Sequence, residues 1–216
     1  MRWINVLAAA ALAGAVLAGA EGDTPRFHFG KDDVGKVPPG WKAAQTGKGA
    51  GSVWKVVADD TAPSKSGYAL AQTAEGPNSL FNLCVAEGPS LKDVEISVAF
   101  KAVRGKKDQG GGLVWRYRDA NNYYLARMNP LEDNYRLYKV VAGKRMQLAT
   151  KEDLKVPANE WHTLKVKQTG DHIECFLDGK KQLEGKDDTF TRAGKVGVWT
   201  KADAQTYFDA LKVSGK

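Results

Sequence analysis

Gly110-Gly-Gly-Leu-Val-Trp-Arg-Tyr-Arg-Asp-Ala-Asn-Asn-Tyr-Tyr-Leu-Ala-Arg-Met-Asn-Pro130 continues through Leu131-Glu-Asp133 to Asn134-Tyr-Arg-Leu-Tyr-Lys-Val-Val141. Three strand-like runs are visible, separated by Asp119–Asn122 and Pro130–Asn134, segments rich in residues that favour turns. Side chains at i and i+2 share a face of a strand. In the first run Leu113, Trp115 and Tyr117 therefore oppose Val114, Arg116 and Arg118. In the second, Tyr124, Ala126 and Met128 oppose Tyr123, Leu125, Arg127 and Asn129. A meander with arginine, asparagine and tyrosine interleaved in this way has one packed face and one polar, aromatic-rich face, which suits a sheet that displays a site.

The pattern extends outward in both directions. Upstream, Val94, Ile96, Val98 and Phe100 alternate with Glu95, Ser97 and Lys101. Earlier strand candidates are Arg26–Phe29, Ser52–Val57, Tyr68–Gln72 and Ser79–Val85. Lys31–Gln45, with Pro38-Pro-Gly-Trp41, reads as an irregular extended entry. Gly105–Gly112 is a charged, glycine-rich loop. Downstream, Trp161–Lys167 and Asp171–Leu177 pair through Gln168-Thr-Gly170, and Asp178-Gly-Lys-Lys181 makes a second hairpin turn. Lys144–Ala149, Gln182–Glu184, Gly194–Thr200 and Thr206–Val213 complete the set. Many short strands with turns between them predict an all-β, two-sheet antiparallel sandwich with little helix.

The chain has 216 residues, is 43% hydrophobic and 26% charged, and carries a formal charge of +7. Those values suit one large β domain with a sizeable core. Residues 1–20 stand apart. Arg2 is followed by the apolar run Val6–Val16 and by Ala18-Gly-Ala20, the small-x-small pattern of a signal-peptidase site. We expect a signal peptide cleaved near Ala20-Glu21, one domain over residues 21–216, a secreted or periplasmic location, and no membrane span after cleavage. The run is shorter than the ~20 residues a membrane-crossing helix needs. The lysines are scattered between apolar residues, as in Leu164-Lys-Val-Lys167, which is the pattern of solvated strand faces. That distribution argues against nucleic acid as a partner. Cys84 and Cys175 both sit in apolar runs. Export makes a disulfide between them one expectation; two buried thiols are the other.

Six motifs follow one another in order: Lys92-Asp-Val-Glu-Ile-Ser-Val98, the Gly110–Asn129 block, Trp161-His-Thr-Leu-Lys-Val166, Phe176-Leu-Asp-Gly-Lys180, Gly194-Lys-Val-Gly-Val-Trp199 and Tyr207-Phe-Asp-Ala-Leu-Lys-Val213. This succession resembles the concanavalin A-like lectin/glucanase superfamily. It is similar above all to the laminin-G-like jelly rolls and to secreted bacterial 3-keto-disaccharide hydrolase-like domains of unknown function. The resemblance implies a jelly roll with a curved sheet whose concave face holds a carbohydrate. Arg116, Arg118, Arg127 and Asn129, with Trp199 and Lys201 opposite Val196 and Val198, are the expected ligand-binding set. Arginine forks read hydroxyl pairs or carboxylates, and an aromatic ring gives a pyranose a flat platform. The bland alternative makes Trp115 and Trp199 core and the arginines solvated or paired with Asp119 and Asp203.

The chain lacks the Glu-x-Asp-x-x-Glu triplet of laminarinase-like members, and its acids fall mostly in turns. His28, His162 and His172 are isolated, with no acid at a spacing that suggests a dyad. No catalytic residue is assigned. In such sandwiches a structural calcium is common where the termini meet, so Asp209 with Asp32 or Asp33 is the candidate for a metal site; no other cofactor is expected. Three functions follow as expectations: a carbohydrate-binding module, a glycoside hydrolase acting on a keto- or modified disaccharide, and an adhesion-like protein-interaction domain with a flat apolar patch.

Overall fold

The alternating runs become strands in the computed structural model, which describes residues 26–216. The expected signal peptide lies outside those residues. In chain order the strands are β1 (Arg26–Phe27), β2 (Trp41–Thr46), β3 (Trp54–Ala58), β4 (Tyr68–Gln72), β5 (Phe81–Ala86), β6 (Val94–Arg104), β7 (Gly111–Asp119) and β8 (Asn122–Asn129). They continue as β9 (Asn134–Val141), β10 (Lys144–Lys151), β11 (Trp161–Thr169), β12 (His172–Leu177), β13 (Lys180–Lys186), β14 (Lys195–Lys201) and β15 (Gln205–Gly215). One 3-10 turn, Lys31–Asp33, is the helical element among the described residues. No helix there is long and apolar enough to cross a membrane.

Two antiparallel sheets face each other. One runs β13-β12-β11-β6-β15-β4-β3, with β1 added beside β15; the other runs β10-β9-β8-β7-β14-β5-β2. The core between them takes the predicted parity from both sheets: Trp115, Tyr124, Ala126, Met128, Val196 and Val198 from one, Ile96, Val98, Phe100, Leu164 and Val166 from the other. Trp115 stacks on Tyr124 and donates its indole N–H to Gln168 at 2.6 Å, so its one polar atom is satisfied in the core.

The second sheet has another apolar layer on its outer face: Phe81, Leu83, Val85, Val114, Tyr123, Leu125, Tyr138, Val140 and Trp199. Strong curvature accounts for it. β10 and β5 are five strand positions apart, about 24 Å in a flat sheet. Yet the Arg145 guanidinium of β10 lies 5.1 Å from the Phe81 ring centroid of β5 and 5.8 Å from that of Trp199. At the other edge Thr46 of β2 hydrogen-bonds the Tyr123 hydroxyl of β8 at 2.8 Å and the Ala120 carbonyl. The sheet therefore wraps its outer face into a hollow, filled largely by its own aromatic side chains.

One expectation is corrected here, and of the two alternatives for the cysteines the structure has one. Trp41–Thr46 is a strand where an irregular entry was expected; it pairs with β5 from Trp41↔Ala86 to Thr46↔Phe81. Cys84 and Cys175 are free and buried. Cys175 on β12 packs against Tyr135 of β9, whereas Cys84 on β5 lies four strand positions from β9, about 19 Å along the sheet. A disulfide needs Cα atoms within about 7 Å.

Candidate functional site

The concave face is assembled by alternation, and its two ends differ. At one end Arg127 leaves β8 and Lys201 leaves β14. Arg127 Nη1 donates to Asn134 Oδ1 at 2.8 Å, and its Nη2 lies 3.3 Å from Asp108 and 3.0 Å from Glu132. Asn129 donates to Asp108 at 3.3 Å, and Lys201 Nζ lies 3.8 Å from the same carboxylate. Asp108 comes from the glycine-rich loop and is wholly buried. Asp203 holds that loop down by accepting the backbone N–H groups of Lys106, Lys107 and Asp108. Burial pushes the Asp108 carboxyl above its ordinary range, against the pull of Arg127 and Lys201. Burial pushes Glu132 the same way, but Arg127, Asn134 and Arg136 prevail and hold it below.

Trp199 is fully buried in the concave layer, tilted against Phe81 at 5.4 Å. Arg145 lies over the Tyr138 ring at 4.5 Å, and burial lowers its pKa. Its Nη1, like the Arg127 Nε, is buried without a hydrogen-bond partner among the described residues. Thus Arg127, Asn129, Trp199 and Lys201 share one face, but the polar members mostly satisfy one another.

Arg116 departs from the expected set. Its φ is +42°, and the pairing registers of β7 with both β8 and β14 slip around it. This bulge inserts an extra residue and resets the alternation. The Arg116 side chain turns away from the hollow and is buried. It donates to the carbonyls of Lys92 (2.8 Å), Phe190 (2.6 Å) and Gly170 (2.8 Å), and lies 3.8 Å from Asp93. Tyr117 takes the concave position instead, stacked on Tyr123 at 6.1 Å.

Arg118 is exposed, and its guanidinium sits 5.0 Å from the Phe190 ring centroid. It lines a cavity of about 270 Å³ at the other end of the concave face, with Lys42, Glu87, Tyr117, Asp119 and Lys195 around a floor of Ala44 and Val85. Burial and the nearby Asp119 raise the Tyr117 pKa, so its hydroxyl stays protonated as a donor. Among the described residues none of the five charged side chains here has an ion-pair partner within 4.0 Å. Sequence reading missed Lys42, Glu87 and Lys195 because they arrive from β2, the end of β5 and β14, which only the sheet order brings together.

Asp209 is buried beneath the 59–67 loop, accepts the Ser64 N–H at 2.8 Å, and keeps its Oδ1 unpartnered. Asp32 and Asp33 do not join it: among the described residues the group close enough to share an ion is His172, Glu174 and Glu184. Those three lie on the β12–β13 hairpin, where Lys181 already contacts both glutamates. His162 does have an acid, Asp178, at 2.8 Å; the hairpin register brings them together across 16 residues.

The family described as the 3-keto-alpha-glucoside-1,2-lyase-like domain matches residues 32–214. The sequence matches none of the curated proteins it was compared with. Among solved structures, a carbohydrate-binding module, CBM66, from Bacillus subtilis superposes with a TM-score of 0.65 at 20% identity, over 82% of this chain and 96% of that one. A Bacillus licheniformis β-glucanase gives 0.58 at 12% identity, over 85% and 96%. Domain 4 of a GH43 extracellular arabinanase from Geobacillus stearothermophilus, in complex with arabinotriose, gives 0.51 at 15% identity, over 79% and 81%. At these identities the likeness is one of fold, the jelly-roll sandwich.

Proposed function

Because the chain belongs to the 3-keto-alpha-glucoside-1,2-lyase-like domain family, we propose that it is an exported carbohydrate-binding domain whose ligand sits in the concave pocket beside Tyr117. One observation carries this reading. The pocket is open, has a tyrosine at its wall and an apolar floor, and presents charged groups that no described residue neutralises. Binding sites commonly combine an apolar surface with a few converging polar groups. The volume, about 270 Å³, is below the ~300–1,000 Å³ of drug-sized sites and suits one sugar unit at a chain end. Tyr117 offers a ring face and a donor hydroxyl; Arg118 and the lysines donate, and Glu87 accepts. That solved proteins of this fold include a carbohydrate-binding module and a domain holding arabinotriose supports the reading. Calorimetry of the exported protein against a broad glycan panel, 3-keto-glucosides included, tests it. Binding should be weakened by Tyr117→Ala and abolished by Ala44→Trp, which fills the pocket, with the melting temperature recorded for each. A panel without a single binder refutes it.

A second reading, bond cleavage on a keto- or modified disaccharide, is favoured by the other end of the face. Asp108 and Glu132 both contact Arg127, and their environments push their pKa values apart, the arrangement expected of an acid and base pair. Turnover of a 3-keto-glucoside that disappears in Glu132→Gln would establish it; no turnover by the wild type removes it. For a protein-docking face the structure offers less. The exposed large apolar side chains among the described residues, Val34, Val53, Leu131 and Met146, come from four separate segments.

A further inference from the structure

We propose that the sugar taken by the concave pocket is anionic, a hexuronate whose carboxylate lies between Arg118, Lys195 and Lys42; this rests on the pocket being the carbohydrate site. The charge balance points there. Three cations from β2, β7 and β14 converge on one cavity with two acids, Glu87 and Asp119. Asp119 is occupied elsewhere: its oxygens accept the Asn121 N–H at 2.7 Å and the Asn122 side-chain amide at 3.0 Å, closing the β7–β8 turn. Those bonds fix Asp119 against the turn without discharging it, so three cations face two carboxylates and the cavity keeps one positive charge in excess, with the Asp119 lone pairs already committed to the turn.

Elsewhere several cations that serve the structure are paired with acids. Arg127 has Asp108 and Glu132, Lys139 has Asp187 at 2.6 Å, and Lys101 has Asp59. Lys42, Arg118 and Lys195 have no such counter-charge within 4.0 Å among the described residues, although they share one concavity. A cleft with an excess of one sign of charge between apolar walls such as Ala44 and Val85 attracts ligands of the opposite sign. Arg118 is also prepositioned. The Phe190 ring under its guanidinium limits the orientations of the fork, and a planar fork matches a carboxylate through two parallel hydrogen bonds. A neutral sugar would leave that geometry and the excess charge unused.

The test compares short glucuronate and galacturonate oligosaccharides with their neutral gluco and galacto counterparts by calorimetry on the exported protein. The uronates are expected to bind about tenfold tighter at low salt, with the preference shrinking as ionic strength rises from about 0.05 to 0.5 M. Arg118→Gln and Lys195→Gln should each lower the ratio of acidic to neutral affinity towards one, whereas Tyr117→Ala should weaken both ligands together. Equal affinities for acidic and neutral sugars, or a preference that persists in the Lys42→Gln/Arg118→Gln/Lys195→Gln variant, overturn the inference and leave the carbohydrate site standing. If neither kind of sugar binds, the site assignment falls and the inference falls with it.

Discussion

Replacing Arg116 by alanine should cost the fold about 3–4 kcal/mol without touching the pocket's charged groups. The guanidinium is 1% exposed and donates to three backbone carbonyls. Those carbonyls belong to three separate connections: Lys92 before β6, Gly170 in the β11–β12 turn, and Phe190 in the segment that leads to β14. A hydrogen bond to a charged group contributes roughly 1.5–3 kcal/mol, and removing one partner of a buried charged cluster costs roughly 3–5 kcal/mol. Relief of the guanidinium's own desolvation, which lowers its pKa, offsets part of the gross sum and gives the lower figure. For a chain of this size each kcal/mol moves the melting temperature by roughly 2–4 °C, so a fall of about 10 °C is expected.

The backbone supplies a control. Arg116 has a φ of +42°, where any residue with a Cβ is strained and glycine is not. Arg116→Gly should therefore be less damaging than Arg116→Ala by about 1 kcal/mol, although both lose the same three hydrogen bonds. Arg116→Lys should recover under half of the loss, because an ammonium does not span three carbonyls in the plane of a fork. Urea unfolding at neutral pH measures all three. An alanine variant within about 1 kcal/mol of wild type, or alanine and glycine variants of equal stability, would show that the bulge does not depend on this side chain.

Three further outcomes are expected. Burial alone would raise the Asp187 pKa, but hydrogen bonds from Lys139, Tyr124 and Thr189 outweigh it and bring it from an ordinary 3.8 to about 2. Its stabilising contribution is complete above 3.8 and is lost as pH falls towards 2, amounting to at most about 2 kcal/mol; Asp187→Asn should flatten that limb of the stability-versus-pH curve. Cys84 and Cys175, whose thiol pKa values burial pushes far up, should resist a thiol reagent until unfolding, and the intact mass without reductant should equal the reduced mass; a deficit of two hydrogens would contradict the separation of the two strands. Gly197→Ala should destabilise by about 1–3 kcal/mol, because its new Cβ would sit 2.5 Å from the Cys84 carbonyl oxygen; an unchanged urea midpoint would mean that β5 and β14 can separate freely.

Local pattern carried far where period two was unbroken. Arg127 and Asn129 on β8, and Trp199 and Lys201 on β14, lie on the concave side because Ala126, Met128, Val196 and Val198 fill the core. β2 was not readable. Lys42, Ala43, Ala44 and Gln45 are weak strand formers, and the segment becomes a strand by pairing with β5 along an otherwise open edge. The Gly105–Gly112 loop reads from its composition only as charged and glycine-rich, yet Asp108 is buried because Asp203, far along the chain, gathers three consecutive N–H groups of that loop. No local rule reports a partner 95 residues away.

The bulge at Arg116 shows what that limit means for function. Strict alternation through Trp115-Arg-Tyr-Arg118 would put Arg116 and Arg118 in the hollow and Tyr117 in the core. No glycine or proline within those four residues marks a break. What breaks the pattern is three carbonyls on other segments that only a guanidinium at position 116 reaches. Once that side chain is drawn out, the count shifts by one and Tyr117 faces the hollow, stacked on Tyr123. The structural arginine thereby places an aromatic ring beside the pocket, while Arg118, one residue on, reaches its rim with a ring beneath it. If the proposed pocket is the ligand site, stability and recognition are coupled at a single irregular residue. A variant that removed the bulge without unfolding the sheet would be expected to bury Tyr117 and lose ligand, even with every charged group of the pocket intact.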